Sequence, residues 1–224
     1  MPKVTDEYIA NKKKEIIDAA YQVCQEKAIE SIVLQDITDK AGFSHGAIYR
    51  YYKDIDEIFV DLFARLNSEI SISVKERYEQ ILNKTVDWRD TIFGVCRILS
   101  DAVVDMGIDE LKLAAYTDVL IMSNPERAVK ISSKLKEDEK NPLIWVEANL
   151  RVYIDDLIDE GKVHPTESTD KILQFMGASI RGIEASYVIS KSFADERYTG
   201  NYKPDEMFRC LAKSMISMLG GNIE

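Results

Sequence analysis

Apolar residues return at every third and fourth position along nearly the whole chain, and no sustained period-two alternation interrupts them, which is the signature of amphipathic helices. Thr5 is placed to cap a first helix, with Asp6 and Glu7 at its positive end and Ile9, Ile16, Ile17, Ala20, Val23 and Cys24 on one face. A short second helix spans about Leu34 to Lys40 and buries Leu34, Ile37 and Ala41. Gly42 supplies a turn, and Ser44 is a good cap for a third helix through about Tyr51.

From Asp54 the pattern lengthens. Phe59, Leu62, Phe63, Leu66, Ile70, Val74, Tyr78 and Leu82 mark a long helix broken at Asn83-Lys84-Thr85. Trp88, Ile92, Phe93, Cys96, Leu99 and Val103 mark the next, ending near Gly107, and another runs from about Asp109 to Met122. Asn124-Pro125 restarts the chain with proline at a first helical position. After the charged 134–140 segment, Leu143 to Glu160 is helical and is stopped by Gly161 and Pro165. Ser168 caps the penultimate helix, with Ile172, Phe175, Met176, Ile180, Ile183 and Tyr187 in register; Pro204 opens the last one, which carries Phe208, Leu211, Ala212, Met215 and Leu219. The predicted fold is all-α: an N-terminal three-helix head over residues 1–54, with a helix-turn-helix at about 33–52, and a larger helical body over 55–224.

Charge changes this picture in one place. The 224 residues carry a formal net charge of -10, yet Lys40 to Lys53 holds three basic residues, one histidine and three tyrosines with no carboxylate. Two helices joined by a tight glycine turn set the second across the first, so that its early residues can enter a DNA major groove. Small Gly46 and Ala47 permit close approach. His45, Tyr49 and Arg50 offer hydrogen-bond donors, while Tyr51 and Lys53 reach toward phosphates. Tyr52 shares a face with Ile48 and is assigned to the core. Lys12, Lys13 and Lys14 read more as a solvated face than as a contact.

Other chemistries lack their parts. His45 and His164 are the only histidines, so no His-based triad or metal cluster can be built, and the glycines form no phosphate-cradling loop. No catalytic group, cofactor or metal is expected. Cys24, Cys96 and Cys210 are odd in number and widely spaced, as reduced core cysteines are. No apolar run reaches membrane length and no secretory signal is seen, so a cytoplasmic protein without membrane contact is expected.

The run Asp36-Ile37-Thr38-Asp39-Lys40-Ala41-Gly42-Phe43-Ser44-His45-Gly46-Ala47-Ile48-Tyr49-Arg50-Tyr51-Tyr52-Lys53 resembles the DNA-binding head of TetR-type transcriptional regulators, over roughly residues 10–70. Asp155 to Val163 and Ile180-Arg181-Gly182-Ile183 also look like landmarks of that family's effector domain. The chain departs from the pattern at Val33, where Thr is common, at Thr38, where Ala is usual, and at Ile55, where a lysine often stands. The resemblance implies that Ser44, His45, Gly46, Ala47, Tyr49, Arg50 and Tyr51 meet double-stranded DNA, with Gln35 and Lys53 beside them. It further implies an inducer cavity in the body. Trp145, Asn149 and Tyr153 recur at i, i+4 and i+8, and Phe63, Phe93, Tyr116 and Phe175 are candidates for the facing walls; ordinary core packing is the alternative for each.

The function so implied is a homodimeric repressor of a pseudo-palindromic operator, released by an unidentified small-molecule effector. Its last two helices would form the dimer interface through Ile180, Ile183, Tyr187, Leu211, Met215 and Leu219. Two alternatives stay open: an activator or ligand-independent regulator with the same head, and a helical interaction protein whose head no longer binds DNA.

Overall fold

The computed structural model of the chain describes residues 5–192 and 202–222. Among these, the elements are α1 (Asp6–Glu26), a 3-10 turn (Ile29–Ser31), α2 (Leu34–Ala41), α3 (His45–Ile48), α4 (Ile55–Lys84), α5 (Trp88–Asp105), α6 (Gly107–Ser123), α7 (Pro125–Ser132), α8 (Pro142–Asp159), α9 (Thr169–Ser192) and α10 (Pro204–Met218), with no strand. The all-α prediction is met.

Helix starts follow side-chain chemistry. Thr5 Oγ1 accepts from Tyr8 N at 3.3 Å, Asn124 Oδ1 from Arg127 N at 3.1 Å, and Asn141 Oδ1 from Leu143 N at 2.9 Å, each satisfying a backbone donor that the helix itself cannot. Proline opens α7, α8 and α10, where a missing N–H costs nothing. Two boundaries differ from expectation. The third helix ends at Ile48, because Arg50 N and Tyr51 N bond to carbonyls three residues back and tighten the chain out of α geometry. α6 begins at Gly107, whose φ of 79° turns the chain directly out of α5.

The described residues form two compact units, and their division differs from a simple cut at residue 54. The first comprises residues up to 68 together with 112–140. Its core is built from Ile16, Ala20 and Val23 of α1, Ile37 of α2, Ile48 and Tyr52, and Ile58, Phe59 and Leu62 of α4, joined by Leu113 and Leu120 of α6 and Ile131 of α7. The head therefore packs with a segment from the middle of the chain, and α7 belongs to its core.

The second unit comprises 69–111 and 141 onward. Val74 and Tyr78 of α4, Ile92, Val95, Cys96 and Leu99 of α5, Val146, Leu150 and Ile154 of α8, and inward stripes of α9 and α10 make one core. Those inward stripes include the residues expected at the dimer interface. Ile180, Ile183, Leu211, Met215 and Leu219, offered above as a surface for a second subunit, are 0–7% exposed within the single chain. Each such burial contributes about 1.5–3 kcal/mol to folding, so this apolar stripe is already satisfied intramolecularly. Tyr187 is half-buried against the same core.

Candidate nucleic-acid interface

The helix-turn-helix is assembled from three local devices. Gly42 closes α2 in the left-handed region at φ 69°, and its N–H bonds back to Thr38 and Asp39 carbonyls. Thr38 is buried, its hydroxyl donating to Leu34 O at 2.7 Å, so this departure from the usual alanine is satisfied inside α2. Val33, at the cap position of α2, has no side-chain acceptor and is exposed. Asp36 supplies the other half of a capping box by accepting from Val33 N at 3.0 Å. Lys27 Nζ lies 2.6 Å from the same carboxylate, and these bonds hold Asp36 below the usual carboxylate range.

Beneath α3, Ile48 is fully buried and Tyr52 is 2% exposed. Tyr52 Oη donates to Asp61 Oδ2 at 2.8 Å, and Lys13 Nζ lies 3.2 Å from that carboxylate and 4.6 Å from the centre of the Tyr52 ring. Burial, with Asp61 as acceptor, pushes the Tyr52 phenol upward, so it stays protonated as the donor. The outer face of the motif is then fixed by register. Gln35, Ser44, Gly46, Tyr49, Arg50 and Lys53 are exposed; Ala47 and Tyr51 are half-buried. The side chain of His45 lies outside what the structure describes. A Cβ added at Gly46 would meet no atom within 4 Å, so nothing inside the chain requires glycine there.

Tyr51 is oriented by residues that the motif alone does not reveal. Its ring meets Phe43 edge-on, with centroids 6.1 Å apart, and burial together with the nearby Tyr8 of α1 raises its phenol above the ordinary value. Lys12 Nζ stands 5.5 Å from the Phe43 ring and 5.9 Å from Tyr8, and pairs with Glu15 at 2.7 Å. The only hint of Tyr8 in the sequence was an aromatic on the polar side of an amphipathic helix. The basic window is also less positive than its composition suggests, because Lys40 pairs with Glu26 at 2.5 Å.

A further anchor lies at the start of α4. Asp54 Oδ1 accepts from Glu57 N and Glu57 Oε2 accepts from Lys53 N, each at 2.9 Å. Ile55 packs its half-buried side chain against the core of the unit. Asp56 is 8% exposed and receives Arg127 Nε at 2.8 Å and Lys130 Nζ at 2.9 Å, both from α7. Burial opposes its charge, but the bonds from Lys130 and Arg127 outweigh that and hold the carboxyl below its ordinary value.

The residues expected to line an effector cavity divide between the two units. Phe63 and Tyr116 pack in the first, whereas Phe93, Trp145, Asn149, Tyr153 and Phe175 belong to the second. Phe175 is 44% exposed on α9, and Asn149 Nδ2 donates to Trp145 O at 2.8 Å, one turn back along its own helix. An open groove of about 440 Å³ between α8 and α9 is lined instead by Ile144, Glu147, Arg151, Asp170, Gln174 and Arg181, among others. Among the described residues, no three His, Cys, Asp or Glu side chains gather to hold a metal ion, and no helix is long and apolar enough to cross a membrane.

Residues 16–62, the span that holds this motif and its buried scaffold, match the family described as bacterial regulatory proteins, tetR family. Over that span the chain is similar to the TetR family. Over 58 residues it is 36% identical to the HTH-type transcriptional regulator YfiR of Bacillus subtilis, a match covering 26% of this chain and 28% of that protein. Over 171 residues it is 26% identical to the HTH-type transcriptional repressor Rv1474c of Mycobacterium tuberculosis, covering 71% of this chain and 84% of the relative. The fold is similar to the crystal structure of the transcriptional regulator FadR from Bacillus subtilis in complex with stearoyl-CoA. That likeness has a TM-score of 0.62 at 19% identity and covers 91% of this chain and 97% of FadR. The fold likeness to FadR thus takes in the helical body as well as the head.

Proposed function

We propose that this chain is a dimeric transcriptional regulator of the TetR type, acting in the cytoplasm on a pseudo-palindromic DNA operator, and that a small molecule bound in its helical body controls that binding. The observation that carries the reading is the split of the motif into two layers. Ser44, Gly46, Tyr49 and Arg50 are presented outward, while Ile48 and Tyr52 are locked inward. Gly46 adds to it: a small residue that no neighbour in the chain demands suits a surface approached by an outside partner. Tyr49 and Arg50 supply donors to base edges or phosphates, and Ser44, Gln35 and Lys53 supply positioning contacts along the backbone.

Pairing is assigned to the outward face of α9. Phe175, Ala178, Gly182, Ala185 and Ile189 are all exposed and follow one another at intervals of three and four, opposite the buried stripe. On α10, Met207, Cys210 and Ser214 repeat the spacing with small or half-buried side chains. Two copies meeting through these faces would form a four-helix contact, with small residues allowing close backbone approach. Two-fold symmetry then calls for operator half-sites about 34–36 Å apart, one helical turn of DNA.

Repression is the sense of regulation favoured by the likeness to the repressor Rv1474c, and FadR's complex with stearoyl-CoA favours a small-molecule ligand. An effector that prefers the DNA-incompetent state shifts the population by its differential affinity, with a usual coupling of about 1–3 kcal/mol. The test is binding of the purified chain to the DNA upstream of its own gene. A shifted band that requires two copies per duplex and is lost in Arg50→Ala supports the reading. Equal binding to scrambled DNA overturns it.

A further inference from the structure

Among the described residues, one buried side-chain polar atom has no hydrogen-bond partner: the hydroxyl of Tyr78, in the second half of α4. The residue is 2% exposed and belongs to the core of the second unit. Leaving a buried hydroxyl unsatisfied is costly, and native structures do so rarely and with a reason. The neighbouring polar groups are satisfied. Asn149 donates to Trp145 O, and Thr85 and Thr91 share a hydroxyl contact at 2.7 Å. Tyr78 alone is left over.

Its surroundings define what could complete it. The Trp145 ring meets Tyr78 edge-on with centroids 5.3 Å apart. Trp145 is half-buried, and Lys75 Nζ stands 5.7 Å from the centre of its ring. Tyr153, two turns along α8 from Trp145, is close enough to act electrostatically on the phenol. Burial pushes the Tyr78 phenol up to about 12, so it is a neutral donor and acceptor at physiological pH. The buried polar side chains of this unit, Ser71, Thr91 and Ser100, are hydroxyls, and none carries a charge that could balance an ionised ligand.

We infer that Tyr78 is the polar anchor of a small-molecule site, walled by Trp145 and Tyr153, for a neutral, largely apolar ligand that carries one hydrogen-bonding group such as a carbonyl. A ligand oxygen would take the hydrogen of Tyr78 Oη while an apolar or aromatic body stacks against the indole. A carboxylate or phosphate head is disfavoured there, because no buried cation would compensate its desolvation. Calling this ligand an effector rests on the regulator reading; its binding at Tyr78 does not.

The test uses the full chain and a matched pair of probes of one size, acetophenone, which carries a carbonyl, and ethylbenzene, which does not. The expected result is that acetophenone raises the melting temperature more than ethylbenzene, since a ligand of the native state stabilises by mass action. Tyr78→Phe should fold with an unlowered melting temperature, since it removes only the orphan hydroxyl. It should weaken acetophenone about fivefold and leave ethylbenzene unchanged, as loss of one neutral hydrogen bond implies. A melting temperature lowered by Tyr78→Phe, or the same response to the two probes in both proteins, overturns the inference. So does the absence of any acetophenone effect at its solubility limit. Operator binding without ligand serves as a separate readout: a failed probe pair with intact operator binding removes only the phenol site, whereas lost operator binding with a positive probe pair removes only the regulator reading.

Discussion

Arg127 Nε donates to Asp56 Oδ1 at 2.8 Å, tying α7 to the first turn of α4 across 71 positions of sequence. Lys130 joins from the next turn of α7 at 2.9 Å and also lies 3.7 Å from Asp54; Lys134 stands 3.8 Å from Glu57. This clasp explains why residues 112–140 pack with the head.

Breaking it from the acidic side leaves two cations facing a poorly solvated gap. Asp56→Asn is therefore expected to lower stability by about 1–3 kcal/mol, less than for a wholly buried pair because Lys130 is half exposed. Urea unfolding measures this as a lower midpoint at unchanged slope. The carboxyl is held below its ordinary value, so its contribution is present above the unfolded value near 3.9 and fades as pH falls through the folded value. The gap between wild type and Asp56→Asn should be full at pH 7 and pH 5 and should shrink below about pH 4. A gap independent of pH would show that shape, not charge, holds the contact.

Within the head, Tyr49→Ala and Arg50→Ala should each weaken operator binding by about 1–3 kcal/mol while leaving the fold intact, because both side chains are exposed. If Arg50 grips a phosphate, its loss should also reduce the slope of log affinity against log salt by about one. A guanine contact would leave that slope unchanged and relax sequence preference at one position. Fluorescence anisotropy across a salt series separates the two.

Much of this head was legible because its constraints are local. Gly42 must turn, Tyr52 falls on the face of Ile48, and Thr5 precedes an acidic first turn; each is a matter of neighbours within four positions. Tyr51's dependence on Tyr8, and Asp56's on Arg127, join positions 43 and 71 apart with no periodic signal to announce them. In the body, periodicity located every long helix, and the stripe it offered for pairing is buried within the single chain. A strong apolar stripe states only that a face is buried, and α9 and α10 bury theirs inside their own chain. The outward stripe through Ala178, Gly182 and Ala185 reads as nearly neutral in hydropathy, since small residues carry little transfer energy but permit close approach.

That distinction can be measured with two substitutions on α9. Gly182→Glu has room in the single chain, where a Cβ meets nothing within 4 Å, and should yield a folded monomer by sedimentation. Ile183→Ala, its neighbour on the buried face, should cost about 2–4 kcal/mol in stability without selectively splitting the dimer. The reverse outcome would return the interface to the inward stripe.

Cysteine chemistry checks the burial of both cores. Cys24 and Cys96 are buried, and burial alone pushes each thiol up to about 12, whereas Cys210 is exposed. In Gly182→Glu, the variant expected to be monomeric, a thiol reagent at pH 8 should label Cys210 quickly and the other two cysteines only after unfolding. Rapid labelling of all three would contradict the packing described.

The most direct measurement is quantitative binding of the purified chain to the DNA upstream of its own gene, titrated with salt and with protein to fix stoichiometry. The expected result is two chains per duplex, protection of two half-sites about one helical turn apart, and affinity that falls steeply with salt and collapses in Arg50→Ala. Binding that ignores sequence, salt and the loss of Arg50, or no binding at all, would contradict it.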